Sequence, residues 1–248
     1  GQGFNPEVGF LLRSAYRKPE ASIFKQIRMN GKFGLLEVRP HITYRSYWNF
    51  DNVLETSYLH VDNHWAWING LEIHTGINFT TEGVTKPFEI SDDVFVPVGT
   101  YHHQEAQIVL MTNLSKPVYL STRSILGGSF GGQRYLNTGT LGIRVGDKFN
   151  SEYSLALNDV RLPGGDFLAT IFGARISYSF RPRINLQSFI QYNSEEDLWS
   201  LNIRFNLLED ANTGLFIVYN DVYSGGDVSN RSFTIKYTHV FDLLNRKQ

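Results

Sequence analysis

Between Phe167 and Leu208 the side chains alternate apolar and polar with a period of two, which a β-strand satisfies and a helix does not. In a first segment Thr170, Phe172, Ala174, Ile176, Tyr178 and Phe180 share one face, opposite Ile171, Gly173, Arg175, Ser177 and Ser179. After Arg181-Pro182-Arg183, a second sets Ile184, Leu186, Ser188, Ile190 and Tyr192 against Asn185, Gln187, Phe189, Gln191 and Asn193. A third sets Trp199, Leu201, Ile203, Phe205 and Leu207 against Ser200, Asn202, Arg204 and Asn206. A slip of one residue would send every apolar side chain to the wrong face, so matching faces predicts the register. Phe180 is expected opposite Ile184, Tyr178 opposite Leu186, Tyr192 opposite Trp199, Ile190 opposite Leu201, and Gln187 opposite Arg204.

Alternation of this kind also suits a soluble sandwich or a lipocalin-like barrel. Two features favour lipid on the apolar side. The polar face carries Asn, Gln, Ser, Thr and Gly with scattered Arg, where a water-washed face usually carries many Lys and Glu. Aromatics end the apolar face at both rims, as interfacial girdles do. The sequence therefore predicts an all-β fold, an antiparallel up-and-down transmembrane β-barrel in the bacterial outer membrane. Its girdle is expected at Tyr178, Phe180, Tyr192, Trp199 and Phe241, and its lumen lining at Arg175, Gln187, Gln191, Asn202 and Arg204. Outer-membrane lipid and, during insertion, the barrel assembly machinery are the partners this fold requires.

Composition agrees. In 248 residues, 42% are hydrophobic and only 19% charged, below the usual quarter. A net charge of −1 leaves no electrostatic footprint for nucleic acid. Without cysteine, neither a disulfide framework nor a Cys-ligated metal site is available. No apolar run is long enough for a membrane-spanning helix, whereas barrel strands need only about 9–11 tilted residues. The chain starts at Gly1 with neither Met nor signal peptide, so an exported protein of this sequence is expected to be a processed or truncated product.

Taken in order, residues 1–30 hold two ill-defined strands, at Gly9 to Arg13 and Ile23 to Ile27. Asn30-Gly31 turns the chain into a strand with Leu36, Val38, Pro40, Ile42 and Tyr44 on one face, where Pro40 demands a bulge or an unpaired position. The hairpin from Leu54 to Phe79 admits two registers. A three-residue loop, Ile68-Asn69-Gly70, pairs apolar with apolar: Trp67 with Leu71, Trp65 with Ile73, Val61 with Ile77 and Leu59 with Phe79. Thr80 to Gly99 is the longest connection and belongs on the outer side, with short turns on the periplasmic side. Longer loops are likewise expected at Leu162 to Asp166, Asn193 to Leu198 and Ser224 to Asn230. Counting through the last strand, Ser232 to Asp242, predicts about 14 strands (roughly 12–16) in one barrel domain over residues 1–248. On that last strand Phe233, Ile235, Tyr237 and Phe241 form the aromatic-ended stripe by which insertion machinery reads such proteins.

The chemistry-bearing residues are few. The hairpin register sets His64 opposite His74, with Asp62 and Glu72 two residues along on the same face. Two histidines without a firm third ligand fall short of the usual zinc site, so no metal centre is assigned. His60 and His64 are about 13 Å apart along a strand, too far for one ion. Glu195-Glu196-Asp197 reads as a solvated outer loop, and Gly127-Gly128-Ser129-Phe130-Gly131-Gly132 as a turn or kink without phosphate-binding spacing. No serine is singled out as a nucleophile, and no cofactor is called for.

Several stretches resemble a known family: Gly3-Phe4-Asn5-Pro6-Glu7-Val8-Gly9-Phe10, Pro87-Phe88-Glu89-Ile90 before Val96-Pro97-Val98-Gly99-Thr100-Tyr101, Leu162-Pro163-Gly164-Gly165-Asp166-Phe167, Gln191-Tyr192-Asn193-Ser194, Asn202-Ile203-Arg204-Phe205-Asn206 and Val218-Tyr219-Asn220. They are similar to the β-barrel domain of unknown function that usually follows a family-nine-like carbohydrate-binding domain in envelope proteins of Bacteroidota and related bacteria. The resemblance implies the fold, the envelope compartment, and a chain that is the C-terminal part of a longer protein. It brings no catalytic motif, and glycan binding itself is not carried over. A porin-like transport or structural envelope component is thus expected, glycan-associated, with an oligosaccharide or small polar solute as partner. A barrel-borne hydrolase and a soluble β-barrel ligand-binding module are the alternatives.

Overall fold

The protein is represented by a computed structural model, which describes residues 15–210 and 213–240. Strands β1 (Glu20–Phe24) and β2 (Ile27–Arg28) both pair with β3 (Leu35–Trp48), which is followed by β4 (Leu54–Trp67) and β5 (Glu72–Val84). A short ribbon of β6 (Phe88–Ser91) and β7 (Val94–Val96) interrupts the meander. It resumes with β8 (Gly99–Met111), β9 (Val118–Ser129), β10 (Gly132–Val145), β11 (Phe149–Leu162) and β12 (Gly165–Arg181). β13 (Ile184–Asn193), β14 (Leu198–Asp210), β15 (Thr213–Ser224) and β16 (Asp227–Thr238) complete it. All but the ribbon belong to one 14-stranded antiparallel sheet in which, from β3 on and leaving the ribbon aside, sequence neighbours are sheet neighbours. Among the described residues β16 pairs only with β15, and β1 and β2 only with β3, so the expected closure of the sheet on itself is not seen there. The expected strand at Gly9 to Arg13 and the girdle residue Phe241 lie outside the described residues.

The chain divides into two compact units. The first comprises Gly1–Asn113, Ser121–Thr138 and Leu157–Leu168; the second comprises Leu114–Leu120, Gly139–Ala156 and Ala169–Gln248.

In the first unit the hairpin of β4 and β5 has the apolar-to-apolar register: Trp65 faces Ile73, Val61 faces Ile77, Leu59 faces Phe79, and His64 faces His74. Gly70 takes a left-handed φ of 87° and closes the loop through its N–H to the Trp67 carbonyl at 3.0 Å. That conformation is open to Gly without steric cost, which is why the loop takes this length. Pro40, opposite Asn63 of β4, sits at the break between β1 and β2, where its carbonyl accepts from Lys25 N–H at 3.1 Å. Phe24 pairs with His41 and Ile27 with Val38, leaving no ladder donor required at Pro40.

The Thr80 to Gly99 segment departs from expectation. β5 runs on to Val84, and the rest folds into the β6–β7 ribbon. Val94 and Val96 pack on Val160 and Leu162, with Val84, Tyr101 and Phe130 around them. Val84 and Tyr101 lie on the same sheet face as Asn78 and Glu105, so the ribbon covers one end of the polar face. Val96 is 1% exposed, and its burial there explains why an apolar Val-Phe-Val sits inside a connection.

In the second unit the central meander has the expected register at Tyr178 with Leu186, Tyr192 with Trp199, Ile190 with Leu201 and Gln187 with Arg204. Phe180 does not pair with Ile184; Arg181 does, and a bulge intervenes between Ser179 and Arg181. Pro182 and Arg183 alone join the strands, which places Arg181 opposite Ile184. Keeping Tyr178 beside Leu186 then requires one extra residue on β12, and a bulge supplies it.

Two of the expected longer loops shrink: Pro163-Gly164 and Gly225-Gly226 are complete links, because β12 and β16 extend further than alternation alone indicates, while Ser194 to Asp197 joins β13 to β14. Phe130-Gly131 is the turn expected within Gly127 to Gly132. Phe130 (φ 41°) and Gly131 (φ 83°) have the left-handed pair of dihedrals that matches strand twist in a two-residue turn.

Close backbone approach beside that turn makes a testable contrast. A Cβ on Gly132 would lie 1.9 Å from the Arg161 carbonyl oxygen, whereas one on Gly139 meets nothing within 4 Å. Gly132→Ala is expected to lower unfolding stability in urea by about 1–3 kcal/mol or more. Gly139→Ala is expected to change it by less than about 0.5 kcal/mol.

Candidate functional site

The two faces of the first unit have opposite chemistry. Register places Glu37, Arg39, His41 and Arg45 of β3 beside Tyr58, His60, Asp62 and His64 of β4. Glu72, His74 and Asn78 of β5 continue the same face, followed by His103, Glu105 and Gln107 of β8 and Arg123 of β9. The other face presents Ile42, Val61, Trp65, Ile77, Phe79, Ile108 and Leu126, all exposed. Among the described residues the buried set is mostly polar: Glu37, Asp62, Asn78, Glu105 and Gln107 are each less than 9% exposed. This inverts the order of a water-soluble protein, where such groups are almost never buried unless paired.

Most of these groups are paired. The Arg39 guanidinium binds Glu72 and lies 3.6 Å from Glu37, which also takes Arg28 at 2.7 Å. Arg134 of β10 binds Glu105 across the intervening strand. Arg123 donates to Gln107 Oε1 at 2.7 Å. Asn78, 1% exposed, accepts from Tyr58 OH at 2.8 Å and lies 2.6 Å from His60 Nδ1. Arg45 stacks over the Tyr58 ring at 4.7 Å.

The imidazoles form a continuous cluster. His64 and His74 stack with centroids 3.5 Å apart and planes 6° from parallel, and His41 meets His64 edge-on at 4.9 Å. His74 Nε2 lies 2.7 Å from Glu72 Oε1. Asp62 Oδ2 is 3.3 Å from His60 Nε2 and 3.6 Å from His64 Nε2. The sequence placed His64, His74, Asp62 and Glu72 together; it did not bring in His41, whose place opposite Asp62 follows from the β3–β4 register. The signal was present as the alternation Tyr58, His60, Asp62, His64 facing Arg39, His41, Thr43.

In the second unit the expected lining residues do share one face. Gln187 is opposite Arg204 and Ser177, Gln191 opposite Gly173 and Ser200, and Arg175 and Asn202 both opposite Phe189. Arg175 stacks over Phe189 at 5.4 Å and reaches Glu152 at 3.7 Å, while Asn202 bonds Asn220, which in turn donates to Ser232 at 3.0 Å. Four of the residues expected as a girdle lie on the opposite face: Tyr178 against Phe180 at 4.8 Å, Tyr192 against Trp199 at 4.5 Å. An ion pair interrupts that apolar face. Asp221, opposite Leu201, accepts from Arg231 at 3.0 Å and from Tyr219 OH at 2.8 Å, so its charge is neutralised in place.

The acidic link Glu195-Glu196-Asp197 is exposed, as expected of a solvated loop. The hydroxyl–imidazole contact between Thr81 Oγ1 and His102 Nδ1, 3.0 Å, lies on the apolar face, away from Asp62, Glu72 and Glu105.

No protein-family model, no curated protein and no solved structure matches this chain. What it does must be read from its own two-faced sheet.

Asn78 tests the polar face directly. Asn78→Ala leaves Tyr58 OH and His60 Nδ1 without their shared acceptor in a buried position. It is expected to cost about 1–3 kcal/mol in denaturant unfolding, with Tyr58→Phe in the same background restoring part of the loss.

Proposed function

We propose that the protein is an outer-membrane β-barrel whose apolar face meets lipid and whose polar face lines the interior. More particularly, it acts as a porin-like transport or structural component of the envelope, glycan-associated as its resemblance implies, passing a small polar solute or oligosaccharide. The observation that carries this reading is the inversion of faces. Carboxylates Glu37, Asp62 and Glu105 are buried on one side of the sheet, while Ile77, Ile108 and Leu126 stand 50–59% exposed on the other. In water each such Ile or Leu would forgo about 1 kcal/mol or more of burial. In a bilayer the same side chains are solvated by lipid, and strands satisfy their backbone through the ladder. From β3 to β16, leaving aside the ribbon, strands run from 10 to 17 residues, enough to cross where about 9–11 suffice. Arg175 and Arg204 favour anions or polar solutes along the interior, since rings of charged side chains set selectivity.

The β6–β7 ribbon narrows this path. It packs on the polar face at one end of β5 and β8, so any solute entering there meets it.

Reconstitution in planar bilayers tests the transport reading. The folded chain is expected to conduct in steady steps, and Arg204→Ala to shift ion preference toward cations without changing heat-modifiable gel migration. A folded, membrane-inserted but silent chain would leave the structural role and remove transport. Val96→Asp, which expels the ribbon from its apolar seat, is expected to raise conductance. Quenching of Trp65 and Trp199 by brominated lipid would place their face in the bilayer; no quenching in a folded sample would favour the soluble binding module.

A further inference from the structure

We propose that His41, Asp62 and His64 form a binding site for one divalent transition-metal ion, on the polar face of β3 and β4. One ligand atom from each of the three lies within 4.8 Å of the others. Three arguments lead here. First, Asp62 is the anomalous acid of this face. Its side chain is 1% exposed, its Oδ1 has no hydrogen-bond partner, and its Oδ2 meets only the imidazoles of His60 and His64. Glu37, Glu72 and Glu105 each hold an arginine; Asp62 holds none among the described contacts. A buried carboxylate without a cation is costly, and a metal ion supplies the charge.

Second, the spacing is that of ligands. Hydrogen bonds between these atom types run about 2.7–3.2 Å, whereas two ligand atoms each about 2.0–2.1 Å from a tetrahedral ion sit about 3.3 Å apart. The 3.6 Å from His64 Nε2 to Asp62 Oδ2 fits the second case. Third, His41 Nδ1 lies 3.3 Å from the Arg39 carbonyl, an acceptor only; a hydrogen held on Nδ1 leaves Nε2 with the lone pair that a metal takes. Room is made by Gly76, directly opposite Asp62: a Cβ there would come within 3.2 Å of both Asp62 Cγ and His60 Cε1.

The neighbouring set His64, Glu72 and His74 also converges within 4.8 Å. It is the weaker holder, because Glu72 is already bound by Arg39 and His74. Two imidazoles and one carboxylate suit zinc, nickel or copper, with a position left for water.

The test uses the full chain, free of any histidine tag, folded in detergent and stripped with chelator. Titration with Co2+ alone, followed by visible d–d absorption, is expected to saturate at one ion per chain and to be displaced by Zn2+. His41→Gln and Asp62→Asn are each expected to weaken binding by at least about tenfold. Gel migration and circular dichroism establish that each variant is folded; if Asp62→Asn is not, His41→Gln decides, since it leaves the buried carboxylate in place. Absence of d–d absorption from folded wild-type protein would overturn the proposal. So would Co2+ binding that His41→Gln leaves at wild-type strength, which would move the ion to the His64, Glu72 and His74 set.

Discussion

In a pleated strand the two faces cannot be chosen independently: every side chain turned toward one surface turns its neighbours toward the other. The rest of this structure depends on that constraint. Once Tyr58, His60, Asp62 and His64 share a face, Leu59, Val61 and Trp65 must occupy the opposite one, and the partner strands must repeat the arrangement to pair apolar with apolar. The result is a sheet whose charged groups are shielded and whose aliphatic groups are exposed. That distribution is the ground on which the membrane reading is proposed.

Concentrating charge on a shielded face has its own requirements. Breaking one member of a buried ion pair leaves the other uncompensated, so the groups must be matched one by one. Long side chains do this across skipped strands. Arg39 reaches from β3 over β4 to Glu72 on β5, and Arg134 from β10 over β9 to Glu105 on β8. These spans tie alternate strands together across the polar face. Asp62 stands apart because its neighbours are imidazoles, and that difference makes its surroundings a ligand set rather than another ion pair.

The β6–β7 ribbon shows the complementary case. Its apolar residues belong to no strand of the large sheet, and they bury against Val160 and Leu162 in the small conventional core of the first unit. A connection with Pro87 and Pro97 at its ends and adjacent acids in its middle looks like a solvated loop by composition. Its two buried valines decide otherwise, since each recovers about 1.5–3 kcal/mol when covered.

The all-β class, the central meander, the β4–β5 loop and the shared face of Arg175, Gln187, Gln191, Asn202 and Arg204 were legible in the sequence, because period-two alternation and turn chemistry are local and leave one register that keeps apolar with apolar. His64 opposite His74 was legible for the same reason. What lay beyond local pattern was decided by tertiary structure. The bulge at Phe180 comes from a two-residue link competing with the register of Tyr178 and Leu186. The seating of the ribbon depends on a surface built by β11, far along the chain. His41 joins Asp62 and His64 only through the β3–β4 pairing, whose register carries a shift between Tyr47 and Trp48. A one-dimensional pattern records which face a side chain takes; only pairing between strands sets which neighbours it finds there, and the chemistry of the candidate site is a property of those neighbours.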